Sequence, residues 1–83
     1  MLLTIDVGNT NTVLGTFLGE DLVHSWRVKT DPRSTADELW LQMRALIEDI
    51  DITGISLCST VPAVLREMRA MFDTYFSEIP TTI

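Results

Sequence analysis

At 83 residues the chain makes one small domain at most, and a domain of that size buries only about 60–65% of the surface its unfolded chain exposes, so its stability is modest. Hydrophobic residues are 46% of it, which suits a globular fold, yet no apolar run approaches the ~20 residues that span a bilayer, and a transmembrane segment is excluded. A formal charge of −6 with six scattered Lys and Arg argues against direct nucleic-acid binding, while leaving room for a nucleotide that arrives with a divalent metal.

Met1 runs straight into an apolar segment with neither a basic stretch nor a cleavage signature, which reads as a mature cytoplasmic N-terminus. Leu2, Leu3, Ile5 and Val7 are strand formers with Asp6 near their end. Val13, Leu14, Thr16 and Phe17 resume that character after the turn formers Gly8-Asn9-Thr10-Asn11. This is a β-hairpin with polar chemistry at its tip. Gly8 offers free φ and close approach to the main chain, Asn9 and Asn11 tolerate left-handed φ, and successive N–H groups in such a turn make an anion-binding concavity. Asp6 stands beside it, and a carboxylate buried there without a cation or donors would be costly, which a metal carrying phosphates would relieve. The same residues also suit a plain hairpin whose Asp and Asn side chains bond their own backbone. Neither a Walker A loop nor G-x-G-x-x-G occurs, since Gly8 and Gly15 are not followed by Lys-Ser/Thr.

Gly15 interrupts the second strand, marking a bulge or a close backbone approach. Gly19-Glu20-Asp21 is a turn. Leu22 to Val28 then alternates, with Leu22, His24, Trp26 and Val28 on one face and Val23, Ser25 and Arg27 on the other, as in a third strand near a sheet edge. His24 is the lone histidine and has no metal-ligand spacing around it, so it reads as a half-exposed strand residue. Asp31-Pro32 signals a loop. Thr35 and Glu38 have capping-box spacing, and Ala36, Leu39, Trp40, Met43, Leu46, Ile47 and Ile50 form the apolar stripe of a helix. Asp51 to Gly54 ends that helix, and Ile55 to Ser59 is a short strand suited to a buried parallel position. Cys58, the single cysteine, reads there as a small buried hydrophobe. Thr60-Val61-Pro62 opens a second helix with Leu65, Met68, Phe72 and Phe76 as its stripe, and Thr81 to Ile83 begin a further strand.

Strand, strand, strand, helix, strand, helix and incipient strand is the order of a ribonuclease H-like half. Two hairpins followed by right-handed crossovers predict an α/β domain with a mixed sheet of spatial order 3-2-1-4-5, the second strand antiparallel and the fifth cut short. Ligands of such sheets bind at the carboxyl ends of strands where the order switches, here at Asp6 and the Gly8 to Asn11 turn, with Ser59 and Thr60 opening onto the same crevice.

Asp6-Val7-Gly8-Asn9-Thr10-Asn11-Thr12 resembles the first phosphate motif of the acetate and sugar kinase, heat-shock chaperone and actin superfamily, and is most similar to that of the type III pantothenate kinases. Ser25-Trp26-Arg27 with Thr30 to Glu38, and Ser59-Thr60-Val61-Pro62, resemble further patches of that family. The resemblance implies two ribonuclease H-like halves with a nucleotide between them, and ATP-dependent phosphorylation of pantothenate to 4′-phosphopantothenate, the first step of coenzyme A synthesis. It implies Asp6 as the metal-organising acid, directly or through water, and Gly8, Asn9, Thr10 and Asn11 as the phosphate contacts. It further implies Mg²⁺, a monovalent cation (K⁺ or NH₄⁺), a cytoplasmic homodimer, and neither nucleic acid nor membrane as a direct partner. The family's Gly-x-Asp-Arg motif and the acid after it, taken as general base, do not occur in residues 1–83. The chain is thus expected to be an incomplete N-terminal domain, inactive alone, with the base beyond Ile83 and the second domain elsewhere. A non-catalytic nucleotide-binding or transcription-accessory protein of the same fold is the alternative.

Overall fold

The computed structural model describes all 83 residues. Five strands and two helices follow in the order β1 (Leu2–Val7), β2 (Asn11–Leu18), β3 (Asp21–Lys29), α1 (Ala36–Ile47), β4 (Gly54–Ser59), α2 (Pro62–Tyr75) and β5 (Thr81–Thr82). The sheet order is β3-β2-β1-β4-β5, as the hairpin and crossover rules require. β2 is antiparallel to both neighbours, while β1, β4 and β5 run parallel.

Alternation divides the sheet into two unlike faces. Leu3, Ile5 and Val7 of β1, Leu14 of β2, and Ile55 and Leu57 of β4 are buried beneath the helices. From above, α1 adds Leu39, Met43 and Ile47, and α2 adds Val64, Met68, Met71 and Phe72. The opposite face has no helix over it and leaves Leu2 and Val13 exposed. Two hydroxyls are buried on the helix side of β2, and each is paired: Thr12 with Thr30 Oγ1 at 2.8 Å, and Thr16 with His24 Nδ1 at 2.8 Å. A buried hydroxyl without such a partner would be destabilising. His24 lies exposed on the edge strand, its ring stacked parallel to that of Trp26.

Of the two conditions its position suggested, Gly15 meets the close approach, and the bulge lies just beyond it. The β2–β3 register shifts between Thr16 and Phe17, and a Cβ at Gly15 would meet Leu22 Cδ1 at 3.1 Å and Thr4 Oγ1 at 3.2 Å.

The capping box of α1 is formed, with Glu38 N–H donating to Thr35 Oγ1 and Thr35 N–H to Glu38 Oε1. The helix ends at Ile47, so Ile50 packs from the following turn and not from the helix itself. Trp40 departs from the expected core position: it is half-buried, stacked on Tyr75 at 4.5 Å and edge-on to Phe76 at 5.3 Å. The reason is geometric, because Trp40 lies at the flank of the stripe, where α1 meets the last turn of α2. The Tyr75 hydroxyl donates to Asp37 Oδ1 at 2.8 Å, tying the start of one helix to the end of the other. That hydrogen bond pushes the Tyr75 phenol above its ordinary range, with desolvation and the Asp37 charge adding to it. Truncating Trp40 to Ala removes a stacked pair and partial burial, and should lower stability by about 2–3 kcal/mol. Glu48→Ala, at an exposed position, should cost under about 0.5 kcal/mol. Denaturant midpoints of the two variants check this, and equal shifts would contradict the placement of α1.

Cys58 also departs from expectation. Its neighbours Leu57 and Ile55 are buried and it is exposed, because β4 turns it to the uncovered face.

Candidate phosphate-binding turn

The β1–β2 connection begins where β1 ends beside β4, with Val7 opposite Ser59. Inside the turn Gly8 N–H donates to Asn11 O at 2.9 Å. Glycine is needed here for space, since a Cβ at Gly8 would lie 3.1 Å from that carbonyl. The left-handed φ expected around Asn9 and Asn11 is not used: Gly19, at the β2–β3 turn, is the one residue with positive φ. Closing the turn through Gly8 and Asn11 lets right-handed residues carry the tip.

Two neighbouring loops hold the turn from outside. Thr30 N–H, just after β3, donates to Thr10 O at 2.9 Å, and the Thr30 hydroxyl meets that of Thr12. Across the sheet, Thr60 N–H donates to Val7 O at 3.1 Å and the Thr60 hydroxyl reaches the same oxygen at 3.4 Å. Ser59 Oγ accepts from Val61 N–H and donates to Val61 O, both at 3.1 Å. The hydroxyls of Ser59 and Thr60 are thus committed to backbone groups. Thr12, Thr30 and Thr60 as braces of the turn were not legible in sequence, because each acts on a strand or loop distant along the chain.

What remains free is the donor set at the tip. The N–H groups of Asn9 and Thr10 donate to no protein acceptor, and the side chains of Asp6, Asn9 and Asn11 bond neither one another nor the backbone. The plain-hairpin alternative required those side-chain bonds. Asn9, Thr10 and Asn11 are exposed, as is Asp6 on the uncovered face. Burial therefore does not burden the Asp6 carboxylate. Its row-mates on the sheet are Val13 of β2 and Cys58 of β4. Nearby, α2 begins at Pro62 without a side-chain cap and without an acid in its first turn, so its positive end is uncompensated by protein.

No cluster of three His, Cys, Asp or Glu side chains surrounds Asp6. That donor set fits Mg²⁺ brought by a nucleotide, because Mg²⁺ keeps several waters and is held by one or two carboxylates together with substrate phosphates. A cleft of about 430 Å³ lies on the other side of the sheet, lined by Thr12, Leu14, Val28, Thr30, Leu39 and Met43 among others, and the turn residues Gly8 to Asn11 do not line it. The turn and Asp6 form one open wall. No helix is long and apolar enough to cross a membrane.

Comparison with known proteins agrees with this architecture. The Lmo2764 protein of Listeria monocytogenes superposes with a TM-score of 0.67 at 16% identity, covering 96% of this chain and 33% of that one. RuvC of T. thermophilus in complex with a Holliday junction substrate superposes at 0.60 and 20% identity, over 96% of this chain and 60% of its own. At these identities the likeness establishes the ribonuclease H-like fold alone. In sequence, the chain is 61% identical over its whole length to the type III pantothenate kinase of Parafrankia sp. (strain EAN1pec), and 56% identical over 85 aligned residues to that of Salinispora arenicola (strain CNS-205). It spans 33% and 34% of those two proteins, about a third of their length. The family model for type III pantothenate kinase matches residues 2–83, and with the Asp6 to Thr12 hairpin set in the strand order that such a site needs, the chain belongs to the type III pantothenate kinase family.

Proposed function

We propose that residues 1–83 are the phosphate-handling wall of a full-length kinase that phosphorylates pantothenate with ATP, yielding 4′-phosphopantothenate. The observation that carries this is the pair of unengaged N–H groups at Asn9 and Thr10, in a turn braced from both sides and following the strand that ends with Asp6 and Val7, in a chain of this family. The turn holds the phosphates through its main chain, and Gly8 admits them closely. Asp6 would hold Mg²⁺, directly or through water, which when bound neutralises the charge of the transferring phosphoryl group. The attacking hydroxyl needs a proton acceptor within hydrogen-bond reach, and the turn residues Gly8 to Asn11 include no His, Asp or Glu. That group, the pantothenate contacts and the second ribonuclease H-like half belong to the part of the kinase corresponding to the other two thirds of its relatives. K⁺ or NH₄⁺, a homodimer and a cytoplasmic site of action complete the proposal by family membership.

A radiolabelled phosphate-transfer assay tests it. The full-length protein should convert pantothenate and ATP with Mg²⁺ to 4′-phosphopantothenate, and residues 1–83 alone should form none, because proximity and general-base contributions are lost together. Product formed by the 83-residue chain in proportion to its concentration would place the base within it. A full-length protein that binds ATP without transfer would favour the non-catalytic alternative.

A further inference from the structure

We propose that Arg27 forms a cationic wall of the phosphate site and grips the anionic oxygens of the polyphosphate received by the turn; this rests on the phosphate-site assignment of Asp6 and Gly8 to Asn11. The strand register places it there. Arg27 pairs with Val13, and Val13 pairs with Asp6. Paired residues share a face, so Arg27 and Asp6 project from the uncovered face in one row, two strand spacings or about 10 Å apart at the backbone. Lys29 pairs with Asn11, nearer the tip, and lines the cleft on the helix side of the sheet. Trp26 and Val28, on either side of Arg27 in the strand, turn inward and are half-buried, which fixes the outward direction of Arg27.

Within residues 1–83 neither cation is spent on another side chain. The one ion pair in the chain joins Arg33 to Asp31 at 3.7 Å, and Arg27 and Lys29 make no side-chain hydrogen bond. Arg27 and Asp6 form no direct pair, and their spacing leaves room for an anion with several oxygens between them, one end toward the carboxylate and the other toward the guanidinium. A guanidinium meets phosphate as a planar fork of donors, which also fixes orientation.

The distribution of charge runs the same way. In a chain of net charge −6, three of the six basic residues, Arg27, Lys29 and Arg33, fall at the turn end of β3 and in the loop after it. Asp21 begins β3 at its other end, with Glu20 in the turn before it, and Asp49 and Asp51 precede β4 at the end of the sheet away from the turn. Asp6, Asp31, Asp37 and Glu38 lie at the turn end as well, and with Arg33 paired to Asp31, Arg27 is a cation left unpaired there.

The test uses the full-length kinase with Arg27→Gln, Arg27→Lys and Asp6→Asn, read by steady-state kinetics and by calorimetric binding of magnesium tripolyphosphate. Loss of a charge-assisted contact should raise the KM for ATP and the Kd for tripolyphosphate by about tenfold or more, with a smaller change in kcat, and make binding less sensitive to salt. Arg27→Lys should recover part of both affinities, since it keeps the charge and loses the fork. Wild-type KM and Kd in Arg27→Gln, alongside a damaged Asp6→Asn, would overturn the assignment of Arg27 while leaving the phosphate site standing. Wild-type turnover and binding in Asp6→Asn would overturn both.

Discussion

Asp6→Asn in the full-length kinase should reduce turnover by at least about 100-fold while leaving the fold intact, corresponding to roughly 2.7 kcal/mol of transition-state stabilisation. The substitution is nearly isosteric, and within residues 1–83 the Asp6 side chain is exposed and makes no hydrogen bond, so neither packing nor a hydrogen bond of this part of the fold is lost. What changes is charge at the end of β1, where the proposed site would hold a cation against the developing phosphoryl charge. Circular dichroism and the denaturant midpoint should match the wild type. Near wild-type turnover in the Asp6→Asn variant would remove Asp6 from the chemistry and leave the turn N–H groups as the whole of the phosphate site.

Phe72→Ala should have the largest effect on stability, about 3–5 kcal/mol. Phe72 is 4% exposed, lies among the buried residues of α2 and meets Phe76 edge-on with ring centroids 6.1 Å apart. Its removal opens a cavity over the sheet that the rigid strands beneath cannot collapse to fill. A small domain holds a total stability of the same order as this loss, so the variant should be largely unfolded by near-UV circular dichroism and hydrogen exchange. A midpoint shift no greater than that of Trp40→Ala would mean that α2 does not carry the core as its buried residues indicate.

These outcomes separate what local pattern encodes from what only the assembled sheet decides. The capping box at Thr35 and Glu38, the proline at the start of α2 and the alternation of Leu22 to Val28 are short-range signals, and each marks its element correctly. Strand order followed from hairpin and crossover geometry applied to those elements. Alternation names two faces of a strand without telling which one the helices cover, and so the exposure of Cys58 and of Asp6 was not legible. Trp40 shows the same limit in a helix: the stripe places it near the core, and only the angle between α1 and α2 makes it a partner of Tyr75. At the site, Asp6 and the Gly8 to Asn11 turn stood out by composition. Their braces at Thr30 and Thr60 did not, because a threonine in a loop carries no sign of which distant carbonyl it will meet.

The exposure of Cys58 makes it a reporter on the neighbouring strand. It is the chain's single cysteine and sits beside Asp6 in the parallel β1–β4 ladder, one strand spacing or about 4.8 Å away at the backbone. A thiol-reactive fluorophore attached to residues 1–83 would therefore sit at one defined position, on the same face as the carboxylate. Its emission would follow magnesium and polyphosphate arriving at the turn directly, without a coupled enzyme assay and without any engineered residue.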